Sequence, residues 1–159
     1  MDSYQSYIHA SRYARWLEDK ERRETWDETV DRWWNFMTGK FPVLKKRQDV
    51  KDAIYQLDVV PSMRTIMTAG EALERNHVAA YNCSFLAVDD PKAFDEALLV
   101  LMCGTGVGFS VERQFISKLP EIPQELVETD EVVVVGDSKE GWAKAQLKLC
   151  LGLYAGEIP

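Results

Sequence analysis

Four consecutive valines at residues 132–135 constrain the fold more than any other feature of the chain. An unbroken β-branched run without polar alternation predicts a strand buried on both faces, as in the interior of a parallel sheet, and such a strand needs neighbours on both edges. The surrounding pattern is α/β. Residues 83–88 predict a strand. Asp90 and Pro91 then start a helix, Asp90 as its cap and Pro91 at its first position, with Phe94, Ala97, Leu98 and Leu101 as its buried face. That helix stops at Gly104, residues 109–112 predict a second strand, and residues 137–154 predict a helix with Trp142, Ala145, Leu149 and Leu153 turned inward. Asp137 with Glu140 matches a cap pattern ahead of it. Three strands are too few for a covered parallel sheet, and the sequence stops at Gly-Glu-Ile-Pro where another strand is due. The expected fold is therefore α/β and unfinished.

The first third has a different character. Thr25-Trp26-Asp27-Glu28 spells a capping box, and Trp26, Val30, Trp33, Trp34 and Met37 follow at helical spacing until Gly39 and Pro42. Val50, Ile54 and Leu57 predict another helix over residues 49–57. Residues 7–24 are mostly polar, with Ile8, Tyr13, Trp16 and Leu17 as apolar anchors, and predict a surface helix contributing little to the core. Residues 60–81 predict loops and short helical turns. The chain thus divides into a helical region, residues 1–60, and a strand-and-helix region, residues 61–159.

Charge and composition exclude several functions. With 26 acidic and 19 basic residues the chain carries a net charge of −7, which disfavours non-specific binding to a nucleic-acid backbone. No apolar stretch approaches the roughly 20 residues that span a bilayer, and the first residues lack the apolar centre of a signal peptide, so a cytoplasmic protein without membrane partners is expected. Three cysteines without metal-site spacing suggest free thiols in a reducing compartment. His9 and His77 stand far apart with no second ligand at helical spacing, so no metal site is expected from this chain alone.

Candidate chemistry concentrates at two places. Residues 104–108, Gly-Thr-Gly-Val-Gly, lie between a helix and a strand, the reverse of the order that puts a helix amino terminus onto a phosphate, and no Lys-Ser/Thr pair follows. Alternate glycines do permit close approach of a backbone or ligand, although a tight turn explains them equally. Cys83 opens a predicted strand, where a thiol can face a cleft or pack as a small hydrophobe. Cys103 stands just before the glycine run, and Cys150 falls inside an apolar helix. Asp89 and Asp90 are explained by capping.

Taken as an ordered set, Arg22-Arg23-Glu24-Thr25-Trp26-Asp27-Glu28, Pro61-Ser62-Met63-Arg64-Thr65, Asn82-Cys83, Gly106-Val107-Gly108-Phe109-Ser110-Val111 and Asp137-Ser138-Lys139-Glu140-Gly141-Trp142 resemble the beginning of a class II, adenosylcobalamin-dependent ribonucleotide reductase. The likeness is to its monomeric triphosphate-reducing branch and runs from residue 11 to the end. It implies a ten-stranded α/β barrel, of which this chain holds the first part and a second chain the rest. It also implies that Cys83 is one of two cysteines that reduce the ribose 2′ position, the partner cysteine and the thiyl-radical cysteine lying beyond Pro159. Ser62, Asn82, Thr105 and Gly106 then belong to the substrate wall, largely through backbone groups. Asp90 matches an effector-contacting position of dimeric relatives.

The implied partners are a complementary carboxy-terminal reductase chain, a ribonucleotide and a dithiol reductant such as thioredoxin or glutaredoxin, with adenosylcobalamin held mainly by the absent part. Between Val111 and Asp137 the sequence is shorter than the monomeric prototype and lacks its inserted effector-binding segment. Compact reductases of this kind occur among bacteriophages, where a gene split by a mobile element yields such a half. A non-catalytic nucleotide-binding or regulatory module of the same ancestry is the alternative, and a piece of one longer polypeptide is a third reading.

Overall fold

In the computed structural model, which describes residues 1–159, the chain divides into two compact units, Met1–Tyr81 and Asn82–Pro159. Each is described by itself.

The first unit is built on helix α2, Trp26–Lys40. Its start follows from the capping box: the Thr25 hydroxyl accepts the Glu28 N–H at 3.3 Å, and the Glu28 carboxylate accepts the Thr25 N–H at 2.8 Å. Lys20 and Arg22 also reach Glu28, at 2.6 and 2.7 Å, and together with that N–H hold its carboxyl far below the usual carboxylate range. Val30, Trp33 and Trp34 of α2 pack with Ile54 of α3 (Gln48–Tyr55) and with Ile66 and Ala69 at the end of α4 (Met63–Thr68). Residues 61–81, which the sequence pattern places with the strands, thus contribute Ile66 and Ala69 to this helical core. They continue through α5 (Glu71–Arg75) and a 3-10 turn at His77–Ala80.

The amino-terminal segment corrects the sequence reading. In place of one surface helix over residues 7–24 there is α1 (Ser3–Ile8), a π-helical turn at His9–Tyr13, and an antiparallel hairpin of β1 (Trp16–Leu17) and β2 (Arg22–Arg23). An ion pair that periodicity cannot show anchors the end of this hairpin to α2. Arg32 of α2 grips Glu24 in a fork, Nε to Oε1 at 2.7 Å and Nη2 to Oε2 at 2.9 Å, with both side chains largely buried. Its Nη1 also donates to the Ile66 and Ala69 carbonyls, at 3.0 and 3.1 Å. Glu24 further accepts the Arg15 N–H at 3.1 Å and the Thr29 hydroxyl at 3.0 Å. Burial alone would raise the Glu24 pKa, but the Arg32, Arg15 and Thr29 hydrogen bonds outweigh it and hold the carboxyl below its usual value.

The second unit contains one parallel ladder, β3 (Cys83–Ala87) beside β4 (Gly106–Ser110), joined through α6 (Lys92–Met102) as parallel pairing requires. The short helix α7 (Arg113–Ile116) follows, then α8 (Lys139–Ala155), which packs against α6. A two-residue parallel pair joins β5 (Val127–Glu128) to β6 (Glu157–Ile158). Asp90 caps as expected, accepting the Lys92 N–H at 2.8 Å. At α8 the cap is Ser138 rather than Asp137, its hydroxyl accepting the Gly141 N–H at 3.0 Å.

Three further expectations are corrected here. Residues 132–135 form no strand, and Val132 and Val134 are 74% and 85% exposed; a buried strand needs paired edges, and no strand lies beside them. The glycine run is not a loop, because Gly106 and Gly108 stand within β4, which begins three residues before the predicted strand. The anticipated buried faces of α6 and α8 are uncovered in part: Phe94, Leu101, Trp142 and Leu149 are all exposed, while Ala93 and Ala143 are buried.

The Glu24–Arg32 pair generates a prediction. Glu24→Ala leaves Arg32 buried without its counter-charge and is expected to cost about 3 kcal/mol in urea unfolding. His9, buried against Trp26, has its pKa lowered by burial and by Arg32, with Glu24 opposing, so folding favours its neutral form. The unfolded chain then binds the extra proton, and stability is expected to fall as pH drops below 6.5, the ordinary histidine value. Glu24, with its depressed folded value, extends that loss below pH 4.5. A urea midpoint unchanged between pH 7 and 5 would contradict the His9 assignment, and one with no further fall below pH 4.5 the Glu24 assignment.

Candidate functional site

Cys83 is the first residue of β3 and is exposed. In the parallel register it stands opposite Gly106, and Phe85 opposite Gly108. Paired residues project to the same side of a sheet and alternate along each strand, so Cys83, Phe85, Gly106 and Gly108 share one face. That face is open: all four residues are exposed. The other face carries Leu86, Val88 and Phe109, which line an apolar cavity with Ala93, Phe94 and Ala97 of α6. A β-carbon built at Gly106 would meet only the Asn82 carbonyl oxygen, at 3.5 Å, so the floor beside the Cys83 thiol is bare backbone.

Backbone hydrogen bonds fix this register. Gly106 N–H donates to the Asn82 carbonyl at 2.8 Å, and the Ser84 hydroxyl donates to the Gly106 carbonyl at 3.1 Å. Asn82, Cys83 and Gly106 are therefore brought together as the sequence suggested. Thr105 precedes them in the turn between α6 and β4, where it is 1% exposed and its N–H reaches the Val100 carbonyl at 3.3 Å. The turn depends on Gly104, whose φ of +84° is left-handed and unfavourable for other residues. Sequence reasoning missed Ser84, although its place directly after Cys83 was a usable signal.

The remaining candidates lie elsewhere. Asp90 stands at the start of α6, engaged in capping. Ser62 belongs to the first unit, where its carbonyl accepts the Ile66 N–H at 3.0 Å and the Thr65 hydroxyl at 2.9 Å. Of the other thiols, Cys103 is buried, and burial pushes the Cys150 thiol up, with a Gln146 contact at 3.5 Å opposing it. No group of three or more His, Cys, Asp and Glu side chains is placed to hold a metal ion. No helix is long and apolar enough to cross a membrane.

With this geometry established, comparison with known proteins is informative. No protein-family model matches the chain. The adenosylcobalamin-dependent ribonucleoside-triphosphate reductase of Lacticaseibacillus paracasei is 31% identical over 167 residues, covering 82% of this chain and 22% of the relative. The reductase of the same name from Lactobacillus leichmannii is 31% identical, covering 69% and 20%. This chain is homologous to a segment of the adenosylcobalamin-dependent ribonucleotide reductases. A crystal structure of a B12-dependent, class II ribonucleotide reductase matches 94% of the chain with a TM-score of 0.73 at 24% identity, and 29% of that structure is covered. The fold of the reductase segment is thus a mixed helix-and-strand fold of class II type. The chain spans about a fifth of the length of the curated relatives it matches.

The open face predicts a reactivity order. Cys83 is expected to be alkylated by iodoacetamide at least about tenfold faster than Cys103, because an accessible thiol reacts and a packed one does not. Gly106→Leu places a side chain beside it and is expected to slow Cys83 alone, as read by peptide mass spectrometry.

Proposed function

We propose that this chain is the amino-terminal part of a ribonucleotide reductase, converting ribonucleotides to deoxyribonucleotides once a complementary carboxy-terminal chain completes the α/β barrel. The observation that carries the reading is the exposed Cys83 thiol on a bare glycine floor, in a chain homologous to one segment of such enzymes. Removing a ribose 2′ hydroxyl as water takes two electrons and two protons. Two thiols supply them by closing a disulfide, and no serine can. Cys83 is one of those thiols. The second cysteine, and the cysteine that carries the radical, belong to the complementary chain.

In this reading the backbone at Asn82, Thr105 and Gly106 forms one wall for the ribose, and Phe85 borders the open face. The short stretch after Val111 leaves no inserted effector segment, and Asp90 serves the helix first. A thioredoxin- or glutaredoxin-type dithiol reduces the Cys83 disulfide back to thiols between turnovers, itself ending as a disulfide.

The relatives are named for adenosylcobalamin. The residues present here do not fit a corrin: a cavity of about 450 Å³ beside Trp142 and Leu149 is far smaller than that group and is lined mainly by apolar side chains. The cofactor site therefore falls to the complementary chain.

The test is ribonucleotide reduction by this chain mixed with its complementary half, adenosylcobalamin and a dithiol, beside each half alone. Activity is expected only in the mixture, and Cys83→Ser is expected to lower it by at least about a thousandfold without weakening the complex, since a serine cannot pass the electrons. Undiminished reduction by Cys83→Ser, or a stable complex without reduction, would overturn the assignment in favour of a nucleotide-binding or regulatory module.

A further inference from the structure

The first unit holds a cavity that the reductase reading does not use. It measures about 270 Å³; its walls are aromatic and apolar, from Tyr4 and Ile8 to Trp26 and Val60, and Gln5 and Met1 also line it. That is more room than the ~150 Å³ that accommodates a benzene ring in a protein interior. Its base carries one polar ring, His9, which is 6% exposed.

The hydrogen bonds around His9 determine what that ring can offer. Glu24, ion-paired with Arg32, only accepts, so the Thr29 hydroxyl spends its single proton on Glu24 at 3.0 Å. Thr29 is therefore the acceptor in its 2.9 Å contact with His9, and Nε2 of His9 is the donor. Burial favours the neutral ring. The proton then sits on Nε2, which leaves Nδ1 with a lone pair, and Nδ1 makes no hydrogen bond within the chain. The backbone that presents it is the π-helical turn His9–Tyr13, a conformation rare in proteins and frequent at functional sites. The Trp26 indole stands edge-on to the imidazole, with centroids 5.6 Å apart and planes at 89°, and fixes its orientation.

We propose that this cavity binds an uncharged planar heteroaromatic ring that donates one N–H to Nδ1 of His9, a ring the size of an indole or a nucleobase. Tyr4, Tyr13 and Trp26 supply the stacking and edge contacts, and no lysine or arginine side chain lines the cavity. The chain Arg32–Glu24–Thr29–His9 sets the acceptor in advance, so the ring is selected for its donor as well as its shape. This inference concerns the first unit and stands independently of the role given to Cys83.

Nitrogen-15 NMR of the His9 ring, with the full chain titrated by indole, benzofuran and adenosine, tests it. Benzofuran has the shape of indole without the N–H, whereas adenosine presents its donor on a nucleobase. Before any addition, Nε2 is expected to carry the proton. Indole is expected to shift the Nδ1 resonance and to bind at least about tenfold more tightly than benzofuran, the worth of one well-made hydrogen bond. A comparable shift with adenosine would assign the site to nucleobases, and its absence to indole-like rings. His9→Phe should erase the preference for indole, and Tyr4→Ala, at an exposed rim residue, should weaken both rings alike. A proton on Nδ1, equal binding of indole and benzofuran, or no shift with millimolar indole or adenosine would each overturn the proposal.

Discussion

Parallel pairing of Cys83 with Gly106 is the constraint on which the functional part of the molecule depends. A parallel ladder needs a crossover, and α6 provides it, so the strand bearing the thiol and the strand bearing the glycines are adjacent in space although paired residues are 23 apart in sequence. Because side chains alternate across a strand, this register alone decides that Cys83 and the two glycines share a face. A one-residue slip would turn the thiol to the α6 side. The Asn82–Gly106 and Ser84–Gly106 hydrogen bonds hold the register where the thiol begins.

Two parallel strands cannot shield their own faces or edges. Parallel sheets occur almost only with both faces covered, yet here Phe85 and Phe109 of the ladder remain exposed, as do Trp142 and Leu149 of α8. The homologous reductases are several times longer than this chain. The first unit is different. Its apolar centre around Val30, Trp33 and Ile54 is closed, and the Glu24–Arg32 fork ties the hairpin, α2 and the end of α4 into one cluster.

What was legible in the sequence follows the range of the interactions involved. The Thr25–Glu28 capping box, the tryptophan stripe of α2 and the Asp90 cap are local, and each stands where the pattern put it. So does the strand at Cys83, bounded by turn residues. The hairpin at Trp16–Arg23 was not legible, because the Glu24–Arg32 ion pair that anchors its end leaves no mark on hydrophobic periodicity. The valine run misled for the opposite reason. Its residues state a strand preference that only partner strands can satisfy, and residues 132–135 here have none. The glycines read as a loop because glycine weakens a strand; their place within β4 makes sense only once the open face beside Cys83 is seen. His9 passed as a lone histidine because its partner Thr29 is 20 residues away.

Central to the proposed function is Cys83 as one half of a dithiol that donates two electrons. The most direct measurement is a single turnover of the completed assembly without external dithiol, followed by mapping of its disulfides. The account predicts a new bond between Cys83 and a cysteine of the complementary chain, formed one for one with deoxyribonucleotide. Product formed while Cys83 remains a free thiol would contradict it.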